Sequence, residues 1–345
     1  MGLRDEIFEQ PAALQRVLDT QVENIERAAQ AIRAREVSFV LLAARGTSDH
    51  AGVYAQYLWG ANNRLPVALA APSLFSLYEA SPRLEKALVV GISQSGQSPD
   101  VVSVIAEGKR QGALTLAITN NAQSPLAQTA EFALDISAGP EKAVAATKTY
   151  TAELMVLAAL SAAMRADEAQ KAALRRVPET AAEVLKLEGQ IEQIAAGHAA
   201  MTQCVVLGRG YNYATAQEWA LKLKELAYVL ADPYSAADFQ HGPIAIIERG
   251  FPVLALAPSG AVLGDLLALL RRLRDEYGAA LLVLSDHDDA LALGQEKLRL
   301  PADRPEWLTP LISIIPAQLY CYHLTRAKGY DTEAPRHLRK VTLTH

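Results

Sequence analysis

This chain repeats one alternation of apolar runs and helical patterns in its two halves, and that repeat constrains the fold more than any other feature. In the first half, "VSFVLLAARG" and "KALVVGISQSG" are each followed by a helical pattern, and "ALTLAITN" comes next. In the second half, "MTQCVVLGRG", "FPVLALAPSG" and "AALLVLSD" stand in the same order. Continuous apolar strands between helices indicate a parallel sheet with helices on both faces. The pattern therefore predicts an α/β fold.

The spacing of the repeat indicates a duplicated domain. An Arg-Gly dipeptide ends the first apolar run of each half, at positions 45 and 209, and a Ser-Gly dipeptide ends the next, at 95 and 259. Both pairs are therefore 164 positions apart (209 − 45 and 259 − 95), which is too long for a solenoid unit. We expect a leading N-terminal helix within a helical segment over 1–35, a first domain with connecting helices over 36–190, a second domain over 191–330, and a C-terminal tail over 331–345.

Composition limits the partners and the compartment. The 345 residues carry a net charge of −5 and no Lys/Arg tract, which argues against nucleic acid as a partner. The N-terminus lacks the apolar core of a signal peptide, and no apolar run approaches the ~20 residues needed to span a membrane. Cys204 and Cys321 have neither zinc spacing nor the pattern of a disulfide scaffold, and Cys204 in "CVVL" is typical of a buried thiol. We expect a soluble, cytoplasmic protein with no membrane partner.

The stretch "GISQSGQSPDVV" at 91–102 places three serines between an apolar run and a helical pattern. Backbone N–H groups and the helix dipole favour an anion at such a point. We expect Ser98 to cap the helix and Pro99 to begin it, and the hydroxyl groups of Ser93, Ser95 and Ser98 to surround a phosphate. The alternative is a polar turn with a good cap, because these residues are also ordinary turn formers.

Hydroxyl donors cluster in the first copy only. The loops "RGTSDHAG" and "SQSGQS" of the first half correspond to "RGYNYA" and "APSGAV" of the second. We therefore expect one phosphate site per chain, in the first half. A sugar phosphate bound only against Ser259 would contradict this expectation.

Six motifs in one order resemble those of the SIS (sugar isomerase) domain family, and in particular the isomerase half of glucosamine-6-phosphate synthase. They are "RGTSDHAG", "ISQSGQSPD", "GPEKAVAATKTYTAEL", "LGRGYNYATAQEWALKLKEL", "ADFQHGP" and "KGYDTEAPRHLRKVTLTH". The resemblance covers nearly the whole chain. It implies two tandem SIS domains, with the C-terminal tail entering the active site.

The resemblance also implies a set of substrate-binding residues. It places the phosphate among Thr47, Ser48, Ser93, Gln94, Ser95 and Ser98. It places Val144, Thr147 and Lys148 along the sugar site, in the loop that also contains Glu141. Without the resemblance, Thr147 and Lys148 are typical of a helix cap beside a surface charge.

Moving a proton between carbons 1 and 2 of a sugar needs a single well-placed base. Glu218, Lys222 and Glu225 fall at spacings of four and three on "EWALKLKEL" and share one helix face. By itself this spacing favours solvated ion pairs. The resemblance instead implies that Glu225 is the proton-transferring base, and that Lys222 neutralises developing negative charge or orients Glu225.

Two more catalytic residues are implied by the resemblance. His241 in "FQHGP", by itself typical of a turn, would open the sugar ring near neutral pH and would come from the partner subunit of a homodimer. Lys340 in "HLRKVTLTH", by itself typical of a solvated tail, matches the lysine that can form a Schiff base with the open ketose. The sequence departs from the family pattern at Asp238 and His337, where glutamate and asparagine are usual.

The resemblance implies an enzyme that opens glucosamine 6-phosphate, isomerises it and releases ammonia, giving fructose 6-phosphate. We expect no glutaminase domain, because the two repeats use up the chain and the first cysteine is Cys204. No metal or nucleotide cofactor is implied. The alternatives are the same chemistry on galactosamine 6-phosphate or fructosamine 6-phosphate, an aldose–ketose isomerase of another phosphosugar, and a non-catalytic sugar-phosphate sensor.

Overall fold

A computed structural model of the protein describes residues 2–340. The predicted N-terminal helical segment is present, but it is divided into three helices: α1 (Leu3–Phe8), α2 (Gln10–Thr20) and α3 (Val22–Ala34). Pro11 lies in the first turn of α2 and has no N–H to continue the hydrogen bonding of α1, so the chain starts a new helix there. The second division falls at Gln21, which ends α2 and precedes α3.

The first half of the chain forms a five-stranded parallel sheet. Its strands are β1 (Phe39–Ala43), β2 (Val67–Leu69), β3 (Ala87–Ile92), β4 (Leu114–Thr119) and β5 (Phe132–Asp135), in the order β2-β1-β3-β4-β5. The associated helices are α4 (Thr47–Asn63), α5 (Ser73–Ser76), α6 (Pro99–Arg110), α7 (Pro125–Thr129) and α8 (Lys148–Arg165). Every residue of β3 and β4 is buried, which explains why both strands are mostly apolar.

Three helices follow the first sheet, namely α9 (Glu168–Leu174), α10 (Val177–Val184) and α11 (Glu188–Gly197). The second half then forms another parallel sheet from β6 (Gln203–Gly208), β7 (Leu230–Ser235), β8 (Pro252–Leu256), β9 (Ala280–Ser285) and β10 (Glu296–Arg299). Its helices are α12 (Asn212–Leu226), α13 (Ala236–Phe239), α14 (Leu263–Asp275), α15 (Asp288–Leu291) and α16 (Thr309–Ala327). Short 3₁₀ helices occupy Leu185–Leu187, Pro243–Ile246 and Glu306–Leu308.

The two sheets have the same topology. The second sheet reads β7-β6-β8-β9-β10, which is the order of the first sheet with every strand advanced by five. β6 begins 164 positions after β1 (203 − 39), and β9 begins 166 positions after β4 (280 − 114). The prediction of a duplicated α/β domain is therefore confirmed.

The described residues form two compact units. The first-sheet unit comprises residues 9–141, 146–178 and 339–340, and the second-sheet unit comprises 2–8, 142–145 and 179–338. Val89, Ile105 and Leu126 belong to the core of the first, and Val205 and Leu270 to that of the second. Among residues 2–340, no helix combines the length and the apolar character that crossing a bilayer requires.

Candidate functional site

The loops after β1 and β3 are adjacent at one edge of the first sheet. β1 pairs with both β2 and β3, so the chain changes direction across the sheet between β1 and β3. In open parallel sheets, ligands bind outside the carboxyl ends of the strands at such a point. The Arg45 guanidinium, in the loop after β1, donates to Asp100 in the first turn of α6 over 2.7 Å, which joins the two loops. Sequence reasoning marked the Arg-Gly dipeptide at 45 as part of the repeat and gave this arginine no role.

The loop at 93–98 joins β3 to α6 in a fixed conformation. Gly96 has φ +64°, and a Cβ there would lie 2.1 Å from the Ser124 hydroxyl oxygen, so only glycine fits. The Leu126 N–H donates to the Gly96 carbonyl over 3.1 Å, and the Asn120 N–H donates to the Gln94 carbonyl over 3.1 Å. The segment that follows β4 therefore holds this loop in place.

The loop hydroxyl groups are arranged to donate. Ser93 Oγ accepts the Gly96 N–H over 3.1 Å, and Ser95 Oγ accepts the Gln97 N–H over 3.3 Å. A hydroxyl that accepts from the backbone retains its proton for a ligand. Ser98 precedes α6 as predicted, but its side chain makes no capping hydrogen bond, so the expectation that it caps through its hydroxyl is wrong. These hydroxyl groups lie at the N-terminus of α6, which suits an anion.

Ser48 differs from the loop serines. It follows Thr47 in the first turn of α4, and its hydroxyl donates to Glu153 Oε1 over 2.8 Å. Glu153 lies on α8 and is 1% exposed. The Ser48 proton is therefore directed at a buried carboxylate in this structure, and binding of phosphate by Ser48 stays a prediction.

The loop that precedes α8 is held by carboxylates. Thr147 is the residue before the helix, and its N–H donates to Glu141 Oε1 over 2.9 Å. Its side chain makes no capping hydrogen bond, and Lys148 is 1% exposed with its ammonium paired to Glu9. The alternative of a cap beside a surface charge is therefore wrong for both residues. Val144, in the same loop, is half-buried.

Glu225 lies on α12 in a network of three charged groups. The Lys222 ammonium donates to Glu225 and lies 3.3 Å from Glu218 Oε1. The side chains of Glu218, Lys222 and Glu225 are 0%, 2% and 22% exposed. Because α12 packs against α16 and against β6 and β7, this helix face is covered, and the solvated face that the spacing favoured is wrong for Glu218 and Lys222.

Charge and burial distinguish which residue of this network can serve as a base. Burial by itself lowers the pKa of Lys222, but the carboxylates of Glu218 and Glu225 outweigh burial, and the net shift of the pKa is upward. Lys222 is thus a permanent cation at neutral pH and cannot serve as a base. Glu225 is the most exposed of the three, so it is the carboxylate that a substrate can reach.

His241 and Lys340 lie in different surroundings. His241 follows α13 on an exposed segment, and its backbone N–H donates to the Asp238 carbonyl over 3.0 Å. Lys340, near the end of the described chain, donates from Nζ to Glu141 Oε2 over 2.6 Å. The structure thus brings Lys340 to the loop before α8, and it brings Lys222 to Glu225.

Comparison with known proteins relates both sheets to one family. The SIS domain family is matched by residues 35–163 and by residues 200–327. Glutamine–fructose-6-phosphate aminotransferase (isomerizing) of Aquifex aeolicus is 33% identical over 339 residues, which cover 97% of this chain and 56% of that protein. The chain therefore spans about half the length of the curated relatives it matches.

Solved structures share the architecture over almost the whole chain. A provisionally named phosphosugar isomerase from Silicibacter pomeroyi DSS-3 is 36% identical, with a TM-score of 0.87, and the match covers 96% of this chain and 99% of that one. Glucosamine-6-phosphate deaminase from Thermotoga maritima is 21% identical, with a TM-score of 0.75 and 99% of both chains covered. At that identity the second likeness concerns the fold alone.

Proposed function

Because this chain belongs to the SIS domain family, we propose that it acts on a phosphosugar, converting glucosamine 6-phosphate to fructose 6-phosphate and ammonia without glutamine. The observation that carries the proposal is the buried network on α12, in which Glu225 alone is accessible and is paired with the cation of Lys222. The serine-rich loop at 93–98 supports a phosphate-bearing substrate, because its hydroxyl groups retain protons to donate at a helix N-terminus.

Each residue has one step in the proposed reaction. His241, supplied by the partner subunit of a homodimer, opens the sugar ring by acid–base catalysis. Glu225 removes the proton from carbon 2 of the open aldehyde and returns it to carbon 1, which gives a ketose imine. The Lys222 ammonium, which donates to Glu225, orients this carboxylate for the two transfers. Water then adds to the imine, ammonia leaves, and fructose 6-phosphate remains.

The two cysteines of this sequence are poor nucleophiles. Hydrolysis of glutamine in this enzyme class would need a thiolate nucleophile. Both cysteines of this sequence are buried; burial raises the pKa of Cys204 to about 12 and raises that of Cys321 well above its ordinary value. Neither thiol of this sequence is therefore suited to act as a nucleophile toward glutamine.

Ammonia release from glucosamine 6-phosphate in the absence of glutamine tests the proposal. The wild type should release ammonia, and Glu225→Gln should lower the rate by about 10²- to 10⁴-fold, because the base is lost while its shape is kept. Glu276→Gln is the matched control, since Glu276 is an exposed glutamate on the surface beside α14 and should leave the rate unchanged.

No ammonia from the wild type would contradict the proposed substrate. The same assay is then repeated with galactosamine 6-phosphate and fructosamine 6-phosphate. Ammonia from either sugar would indicate an enzyme that acts on another phosphosugar. A sensor would bind fructose 6-phosphate and release ammonia from none of the three sugars. An unchanged rate in Glu225→Gln would reject Glu225 as the base even if the substrate were correct.

A further inference from the structure

Arg45 is the one lysine or arginine in the loops at 44–46 and 93–98, where β1 and β3 end. We propose that its guanidinium binds the phosphate group of the substrate, and that Asp100 positions it to do so. The inference rests on the proposed function, because it concerns the same phosphosugar. Arg45 is then the residue that selects a phosphorylated sugar over an uncharged one, and Asp100 is a positioning residue that acts through Arg45.

The serine-rich loop at 93–98 has no cation of its own, although acidic residues lie close to it in the sequence and in the fold. Asp100 lies in the first turn of α6, and its side chain is 0% exposed. Asp49 lies in the first turn of α4, the helix that follows β1. A phosphate bound at these two helix starts would be repelled by both carboxylates. A cation at the same place offsets that repulsion, and Arg45 supplies it.

The contact with Asp100 uses one edge of the guanidinium. Arg45 donates from Nε to Asp100 Oδ2 over 2.7 Å, and within residues 2–340 this is the one hydrogen bond of the Arg45 side chain. A guanidinium carries five N–H donors, and the Arg45 side chain is 49% exposed. Its two terminal Nη groups therefore keep their protons for a ligand, and such a fork pairs well with two oxygens of a phosphate.

The corresponding arginine of the second copy is arranged differently. Arg209 contacts Asp265, in the first turn of α14, through its terminal Nη2 over 3.1 Å. The Asp265 side chain is 65% exposed, whereas that of Asp100 is fully buried. Both copies thus join two loops by an arginine–aspartate pair. In the first copy the pair is made through Nε to a buried carboxylate, which fixes the guanidinium and leaves its fork available.

The glycine that follows each arginine shows what lies beside it. Apart from its chain neighbours, a Cβ built at Gly46 would meet no atom of the described residues within 4 Å. A Cβ built at Gly210 would lie 4.0 Å from Glu306 Oε1, and Glu306 also accepts the Ala261 N–H over 2.8 Å. The second copy therefore carries a carboxylate of its own beside this loop. The matching place beside Arg45 is open to an anion from outside the chain.

Isothermal titration calorimetry tests the role of Arg45. Arg45→Gln should weaken the binding of fructose 6-phosphate by about 10- to 100-fold, because charge-assisted hydrogen bonds to the phosphate are lost. It should weaken the binding of inorganic phosphate, measured by competition, by the same factor, since the lost contact is to the phosphate group alone. Arg209→Gln removes the equivalent arginine of the second copy and should leave both affinities unchanged. Equal weakening in the two variants would overturn the inference.

A role as a mere link between loops gives a different result. In that case Arg45→Gln would lower the midpoint of urea denaturation and leave both affinities at the wild-type value, which would also overturn the inference. Arg45→Lys keeps the charge without the fork and should bind fructose 6-phosphate about 3- to 10-fold more weakly than the wild type. If Arg45→Gln does not fold, Arg45→Lys decides, and wild-type affinity in that variant counts against the inference.

The binding readout separates this inference from the proposed function. A wild type that binds fructose 6-phosphate but releases no ammonia from any amino sugar would reject the proposed function, and the affinities of the Arg45 variants would still decide the inference. A wild type that binds neither fructose 6-phosphate nor inorganic phosphate would overturn the inference. Where ammonia is released, Arg45→Gln should raise KM for glucosamine 6-phosphate and leave kcat nearly unchanged, because the phosphate takes no part in the proton transfer.

Discussion

The direction of individual hydroxyl protons distinguishes residues that sequence alone treats as equivalent. Ser93 and Ser95 accept backbone N–H groups and keep their protons for a ligand. Ser48 gives its proton to Glu153. The family resemblance places all three around a phosphate, because a motif specifies which residue is present and not where its hydroxyl proton points. The loop at 93–98 is therefore better suited than Ser48 to bind a phosphate.

Substitution of Ser95 tests this assignment. Ser95→Ala removes a hydroxyl donor at the N-terminus of α6 and should weaken fructose 6-phosphate binding by about 1.5–3 kcal/mol, the range for a hydrogen bond to a charged group. Isothermal titration calorimetry measures the change. Ser259→Ala is the matched control, because Ser259 lies 164 positions later in the second copy. Binding that weakens in the control and not in Ser95→Ala would reverse the assignment.

The two thiols should be unreactive in the folded protein. Both are buried, and burial raises the pKa of Cys204 to about 12 and that of Cys321 well above its ordinary value, so both remain thiols at pH 8. Titration with Ellman's reagent at pH 8 should therefore detect almost no thiol in native protein and two per chain in urea. Because the folded pKa of Cys204 exceeds its ordinary value, its contribution to stability should be lost as the pH rises from about 9 to 12. Rapid native labelling would contradict the burial.

At the scale of elements, the N-terminal helices make hydrogen bonds to distant parts of the chain. The Glu6 carboxylate on α1 is fully buried and accepts the N–H groups of Lys142 and Ala143, in the loop that contains Val144. On α2, Gln10 accepts the Thr151 hydroxyl over 3.0 Å. The periodicity of the sequence predicts a leading helix. It does not predict these hydrogen bonds, because they join residues more than 130 positions apart.

Removal of the Glu6 carboxylate tests its role. Glu6→Ala leaves two buried N–H groups without an acceptor, so it should destabilise the protein by about 1–3 kcal/mol. The midpoint of urea denaturation reports this loss. Glu23→Ala, an exposed glutamate on α3, should leave the midpoint unchanged. Equal midpoints for Glu6→Ala and the wild type would show that water satisfies the loop instead.

The sequence predicts a strand of this fold well when the strand is buried inside its sheet. β3, β4, β8 and β9 lie inside their sheets, so their apolar runs predict them. β2, β5, β7 and β10 are the edge strands of the two sheets, and the sequence does not predict them because they are short or carry polar residues, as in "LADPYS". Burial of Lys222 and Glu218 also escaped prediction, since it follows from packing of α12 against distant elements.

At the scale of the whole molecule, the duplicated fold has loops that differ in chemistry. In the second copy, the Ser259 N–H donates to Asp286 Oδ1 over 2.6 Å, and the Ala261 N–H donates to Glu306 Oε2 over 2.8 Å. Carboxylates of the chain thus occupy the backbone donors that a phosphate would need. The first copy offers serine hydroxyl groups at the corresponding loop.

This asymmetry predicts the binding stoichiometry. Calorimetric titration with fructose 6-phosphate should give one site per chain, and Ser95→Ala should weaken binding at that one site without leaving a second site of wild-type affinity. Glu306→Ala should leave the high-affinity site unchanged, because it alters the second copy only. Two equivalent sites per chain would contradict the prediction.

The identical strand order of the two sheets creates a problem of recognition during folding, since a strand could insert into the wrong copy. Gly91 in β3 and Ala255 in β8 hold corresponding places, because Ala43 pairs with Gly91 and Leu207 with Ala255. A Cβ at position 91 would lie 2.8 Å from Leu126 Cδ1, closer than packed side chains tolerate. The methyl group of Ala255 in the place of Gly91 would therefore force the Leu126 side chain to shift, and one missing carbon atom favours β3 over β8 in the first sheet.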